Sequence, residues 1–220
     1  MKIEKLIDRG YPKLILCFNG WSAPLALFRQ LAVPADADYW VVYDYRDSQF
    51  DTDLSAYAEV QVYAWSLGVW VASQVLPTLP HVRITKSVAI NGTPSPLSAT
   101  EGIPEVAFRA TLHHLTLEGI RLFNQRICAS PENIAQYEAY TPRPLAEVAD
   151  ELRFLYKQIK GTKVPTDFPW SQAYVSSPAI GDAIFPVANQ LRAWKSQQVP
   201  VQFLQAPHCP FFQYPNLFAL

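Results

Sequence analysis

The run Tyr63-Ala64-Trp65-Ser66-Leu67-Gly68 sets a serine between two small residues, after an apolar stretch and before a helical one. That is the setting of a nucleophile elbow, a sharp strand-to-helix turn that lifts a hydroxyl clear of a sheet edge. The usual pattern is G-x-S-x-G. Here Ala64 stands at the first glycine and is small enough for the turn. The competing reading is a helix capped by Ser66, with Gly68 incidental. A hydroxyl is a poor nucleophile until a base takes its proton. Asp182 lies in a loop after a late apolar run, and His208 follows the last such run. The chain order Ser66, Asp182, His208 is that of the α/β-hydrolases. His208 is then the expected base, and Asp182 the group that fixes its tautomer. A tetrahedral oxyanion needs two N–H donors. Leu67, directly after the serine, supplies one. Trp21, in Asn19-Gly20-Trp21-Ser22 after the first long apolar run, supplies the other.

These groups need a scaffold that brings distant segments to one edge. Apolar runs at 14–18, 39–43, 60–65, 87–90, 173–176 and 199–204 read as strands apolar on both faces, as in a parallel sheet covered on both sides. Helix-length segments at 25–30, 66–76 and 187–196 separate most of them. The alternation predicts an α/β fold with a mostly parallel, doubly wound sheet. Residues 104–165 break the rhythm with helical periodicity alone. Ser130-Pro131-Glu132 is a helix start. Leu145, Val148, Ala149, Leu152, Tyr156 and Ile159 form one apolar stripe, and Gly161 ends it. The expected organisation is a hydrolase core, 1–103 and 166–220, with a helical cap, 104–165, inserted. The alternative is that these helices cover one face of the sheet.

The composition excludes several classes. The chain has 220 residues, half of them hydrophobic and 17% charged, which rules out a disordered or coiled-coil protein. The formal charge is -1, so a nucleic-acid or anionic-membrane partner lacks electrostatic support. Cys17, Cys128 and Cys209 are odd in number and widely spaced, which indicates neither a disulfide framework nor a zinc site. His113 and His114 are neighbours, diverge by about 100° on a helix and cannot share a ligand face. No metal and no cofactor are expected. No apolar run is long enough to span a membrane, and a cytoplasmic monomer is expected.

The chain resembles the BioG family of pimeloyl-[acyl-carrier protein] methyl ester esterases over nearly its whole length. FNGWS (18–22), YAWSLGVW (63–70), INGTPSP (90–96), GIPEVAF (102–108), GDAIFP (181–186) and APHCPFF (206–212) carry the resemblance. It puts Ser66, Asp182 and His208 on the family's catalytic positions, and Trp21 and Leu67 on its oxyanion-hole positions. The substrate it implies is the methyl ester of a pimeloyl chain carried by acyl carrier protein, the partner, in biotin synthesis. The residues by themselves give only an ester or thioester hydrolase with a cap. A hydrolase-fold binding protein without turnover is the non-enzymatic alternative.

Carrier proteins are acidic, so a basic docking face is expected. Arg153, Lys157 and Lys160 share one face of the second cap helix, with a solvated helix face as the alternative. Trp21, Trp65, Leu115 and Phe123 are candidates to line an apolar acyl slot, with core packing as theirs.

Overall fold

The computed structural model describes residues 1–79, 82–162 and 168–219. Seven strands form one sheet: β1 (Lys2–Ile7), β2 (Lys13–Phe18), β3 (Ala37–Tyr43), β4 (Glu59–Trp65), β5 (Ile84–Ile90), β6 (Gln172–Ser176) and β7 (Val201–Leu204). Their order is β1-β3-β2-β4-β5-β6-β7, and every pairing except β1–β3 is parallel. The six expected strands are all present, with shifted ends. β2 and β3 are buried along almost their whole length, as their apolar runs require.

The two edges differ from the sequence reading. β1 was not anticipated. Lys-Ile-Glu-Lys-Leu-Ile mixes charged and apolar residues, and it lies half-buried on the edge as the antiparallel partner of β3. β7 is shorter than the 199–204 run and not apolar-covered on both faces, since Gln202 and Phe203 are exposed at the opposite edge.

Strand order also reverses at β2, which has β3 on one side and β4 on the other. In such sheets the crevice beyond the carboxyl ends at this switch is where ligands bind. Ser66 follows β4, Trp21 follows β2, Asp182 follows β6 and His208 follows β7. All four therefore emerge along one edge of the sheet.

The three helices expected between strands all form. α1 (Leu25–Arg29) has five residues, and residues 44–58 link β3 to β4 without a helix. α2 (Leu67–Val75) follows the serine and is almost wholly buried. Four helices lie between β5 and β6 with no intervening strand among the described residues: α3 (Glu105–His113), α4 (Leu117–Cys128), α5 (Pro131–Glu138) and α6 (Leu145–Gly161). The expected start of the insertion, residue 104, is the residue before α3. Its expected end, 165/166, lies outside the described residues. Ser130 caps α5 by accepting from the Asn133 N–H at 3.2 Å, with Pro131 in the first turn. The stripe on α6 buries Val148, Leu152, Leu155 and Ile159. α7 (Val187–Ser196) joins β6 to β7.

Candidate active site

The turn at Ser66 is strained. Its φ of 58° and ψ of -127° lie where residues with a Cβ rarely go, and its side chain makes no capping bond to α2. Gly68 is required by close approach: a Cβ there would stand 2.4 Å from the Phe18 carbonyl oxygen. Ala64, two residues before the serine, is fully buried. Ser66 is thus held as an elbow and not as a helix cap.

The hydroxyl faces His208. Ser66 Oγ lies 3.0 Å from His208 Nε2, and His208 Nδ1 lies 2.9 Å from Asp182 Oδ2. Asp182 is fixed on both oxygens. Oδ1 accepts from the backbone N–H groups of Ile184 (2.8 Å) and Phe185 (2.9 Å), and Oδ2 accepts from Gln190 Nε2 (3.0 Å). With Asp182 ionised, these donors stabilise it, and the proton on Nδ1 leaves Nε2 free to accept from the serine.

The loop carrying His208 is anchored by residues that the motifs alone do not assign. Asn91, just past β5, donates to the carbonyls of Pro207 (3.1 Å) and His208 (2.9 Å). Its own Oδ1 accepts from the Ser176 N–H at 2.7 Å. Asn91 therefore ties the ends of β5, β6 and β7 together. The hint in the sequence was Asn91-Gly92 directly after a buried strand, but nothing local identifies its partners. Gln190, on α7, is equally silent in sequence.

Trp65 was expected in an acyl slot. The structure puts it behind the imidazole instead. Its Nε1 donates to the His208 carbonyl at 2.8 Å, and its ring packs on Phe28 and Phe211. Buried there, the indole fills core volume and satisfies its N–H. Phe185 stacks parallel to the imidazole, with centroids 6.0 Å apart.

A small apolar cavity opens over Ser66. Trp21 and Leu67 line it from the core, Phe108 from α3, Phe123 from α4 and Leu152 from α6. Trp21 and Phe123 meet edge-to-face at 4.9 Å. Leu115, expected in the same slot, lies in a neighbouring cleft between α3 and α4.

Helix α6 also braces the loop after β2. Trp21 Nε1 donates to the Val148 carbonyl at 2.8 Å. One turn on, fully buried Glu151 accepts from the Tyr45 N–H (2.8 Å) and from Arg143 (2.6 Å), while Tyr45 Oη donates to the Asn19 carbonyl at 2.7 Å. Asp44 adds a charged cluster, taking Arg46 at 2.6 Å, Lys2 at 2.8 Å and Arg143 at 3.4 Å. Burial would raise the Asp44 carboxyl, but the hydrogen bonds from Arg46 and Lys2 outweigh it and hold it well below the usual range.

The docking candidates on α6 are exposed, and two are already paired. Arg153 meets Asp150 at 3.0 Å and Lys160 meets Glu105 at 2.9 Å, while Lys157 has no ion-pair partner among the described residues. His114 Nδ1 lies 2.8 Å from the Ala110 carbonyl of its own helix. No helix among the described residues is long and apolar enough to cross a membrane.

Relatives share this arrangement of elements. A crystal structure of BioG from Haemophilus influenzae superposes with a TM-score of 0.92 at 35% identity, covering 99% of this chain and 98% of that one. A putative aryl esterase from Burkholderia cenocepacia shares the fold at a TM-score of 0.62 and 18% identity, covering 97% of this chain and 89% of that one. A malonyl-[acyl-carrier protein] O-methyltransferase from Bacteroides fragilis is 36% identical over 196 residues, which are 88% of this chain and 39% of that protein. The family model described as pimeloyl-ACP methyl esterase BioG matches residues 1–219. The chain belongs to the BioG family of pimeloyl-ACP methyl esterases.

Proposed function

We propose that this chain is a serine esterase that removes the methyl group from a pimeloyl methyl ester borne by acyl carrier protein, with Ser66 as nucleophile. The observation that carries the reading is the hydrogen-bonded line Asp182–His208–Ser66, with Ser66 in a strained turn at the floor of an apolar cavity. Ser66 Oγ attacks the ester carbonyl as His208 Nε2 takes its proton. The N–H groups of Trp21 and Leu67 hold the oxyanion, and Asp182 stabilises the imidazolium. Collapse breaks the bond to the methoxy oxygen. His208 returns the proton to it, and methanol leaves. Water, deprotonated by His208, then attacks the acyl-serine, and as the bond to Ser66 Oγ breaks His208 returns the proton to that oxygen, which frees the carboxylate and restores the serine. Every step uses the chain's own groups and water.

Helices α3 to α6 serve as a cap in this reading. They supply apolar wall and, through Val148, hold the indole of Trp21. Excluding water from that wall strengthens the oxyanion's hydrogen bonds. The carrier remains outside, with its acyl chain threaded under the helices. A fluorophosphonate probe tests the nucleophile: wild type is labelled, and folded Ser66→Ala is not. Labelling that persists in Ser66→Ala would reject Ser66.

A further inference from the structure

Of the residues lining the cavity over Ser66, Arg126 alone is charged. It sits at a boundary. Thr111, Phe123 and Arg126 line both this cavity and the more open cleft between α3 and α4. Phe123 and Arg126 are three apart on α4 and so share a face. An apolar slot therefore begins at Ser66 and meets a guanidinium where it opens toward solvent. That guanidinium is held in place, since Arg126 Nη2 donates to the Ala183 carbonyl at 2.7 Å, next to Asp182. It is also uncommitted in charge. Arg121, Arg143 and Arg153 each meet a carboxylate, whereas Arg126 has none within ion-pair distance among the described residues.

We propose that Arg126 selects substrates whose acyl chain carries a polar acceptor, a carbonyl or carboxylate oxygen, at the end remote from the ester. This rests on Ser66 being the nucleophile. A guanidinium carries five N–H donors and no acceptor. An apolar chain end pressed against it removes water and returns no hydrogen bond, which is costly. An acceptor at the same place restores the bond with charge assistance. Because Ser66 and Arg126 stand at two fixed points on the slot, the preference also depends on chain length. Simple fatty acyl esters are disfavoured by the same group that favours a chain with a polar far end.

The test compares methyl heptanoate, dimethyl pimelate and monomethyl pimelate as substrates of wild type, Arg126→Leu and Arg126→Lys. Wild type is expected to favour the two polar-ended esters in kcat/KM by about tenfold or more, the scale of one hydrogen bond to a charged group. Arg126→Leu should erase that ratio and speed methyl heptanoate, and Arg126→Lys should keep part of it. In wild type alone, monomethyl esters from glutarate to sebacate should show an optimum length that methyl alkanoates lack. An unchanged ratio in folded Arg126→Leu, or no polar-end preference in wild type, overturns the role of Arg126 and leaves the esterase reading intact. Failure of wild type to cleave any of these esters, together with no fluorophosphonate labelling, overturns both.

Discussion

At the scale of single residues, the proposed chemistry depends on a few hydrogen bonds with little slack. Asp182→Asn should lower kcat about 10³–10⁴-fold, because an amide in that place can hold the wrong imidazole tautomer. Steady-state kinetics on a soluble ester check this, with KM changing far less than kcat. Asn91→Ala should cost about 1–3 kcal/mol, because the Ser176 N–H and the carbonyls of Pro207 and His208 lose a buried partner. A urea titration measures that loss, and kcat should fall with it as the His208 loop loosens. The meeting of Ser66, Asp182 and His208 was legible because each follows its own apolar run in a fixed chain order. Asn91 and Gln190 were not, because their partners are over eighty residues away or are set by a loop that only folding brings near. Trp65 was misassigned because an aromatic beside the nucleophile can face either the slot or the core, and the strand's alternation does not decide between them.

At the scale of elements, the sheet's interior announced itself and its antiparallel edge, β1, did not. A strand buried on both faces leaves a continuous apolar run, whereas β1 has charged residues that an edge tolerates. The link between β3 and β4 likewise carries no periodic signal. Instead it starts with the Asp44 cluster that joins the core to the segment before α6. That cluster has a pH signature. The folded-state pKa of Asp44 is depressed, so its contribution is present above its unfolded value of about 3.9 and is lost as pH falls below that toward the folded value. Glu151 runs the other way, since burial pushes its carboxyl up. Urea midpoints near neutral pH and near pH ~3 should therefore show Asp44→Asn less stable than wild type at neutrality and closer to it in acid. Equal gaps at both pH values would count against the cluster's role.

At the scale of the whole molecule, the sheet and the four helices between β5 and β6 meet over Ser66, and no cysteine among the described residues is accessible. Cys17, Cys128 and Cys209 are all buried, and burial raises their thiols, that of Cys128 to about 12. Iodoacetamide should therefore leave the folded protein active and react only on unfolding. The nearly neutral composition argues against a nucleic-acid partner, but it does not reveal where the cations sit. Folding pairs Arg121, Arg143, Arg153 and Lys160 of the helical segment with carboxylates and sets Arg126 at the slot. The central claim is methyl ester cleavage by Ser66 on a carrier-borne acyl chain. Its most direct measurement is product analysis with pimeloyl methyl ester attached to acyl carrier protein. Wild type should release methanol and leave the acyl chain on the carrier, and folded Ser66→Ala should release none. Release of the carrier thiol instead of methanol, or methanol release undiminished in Ser66→Ala, would contradict the account.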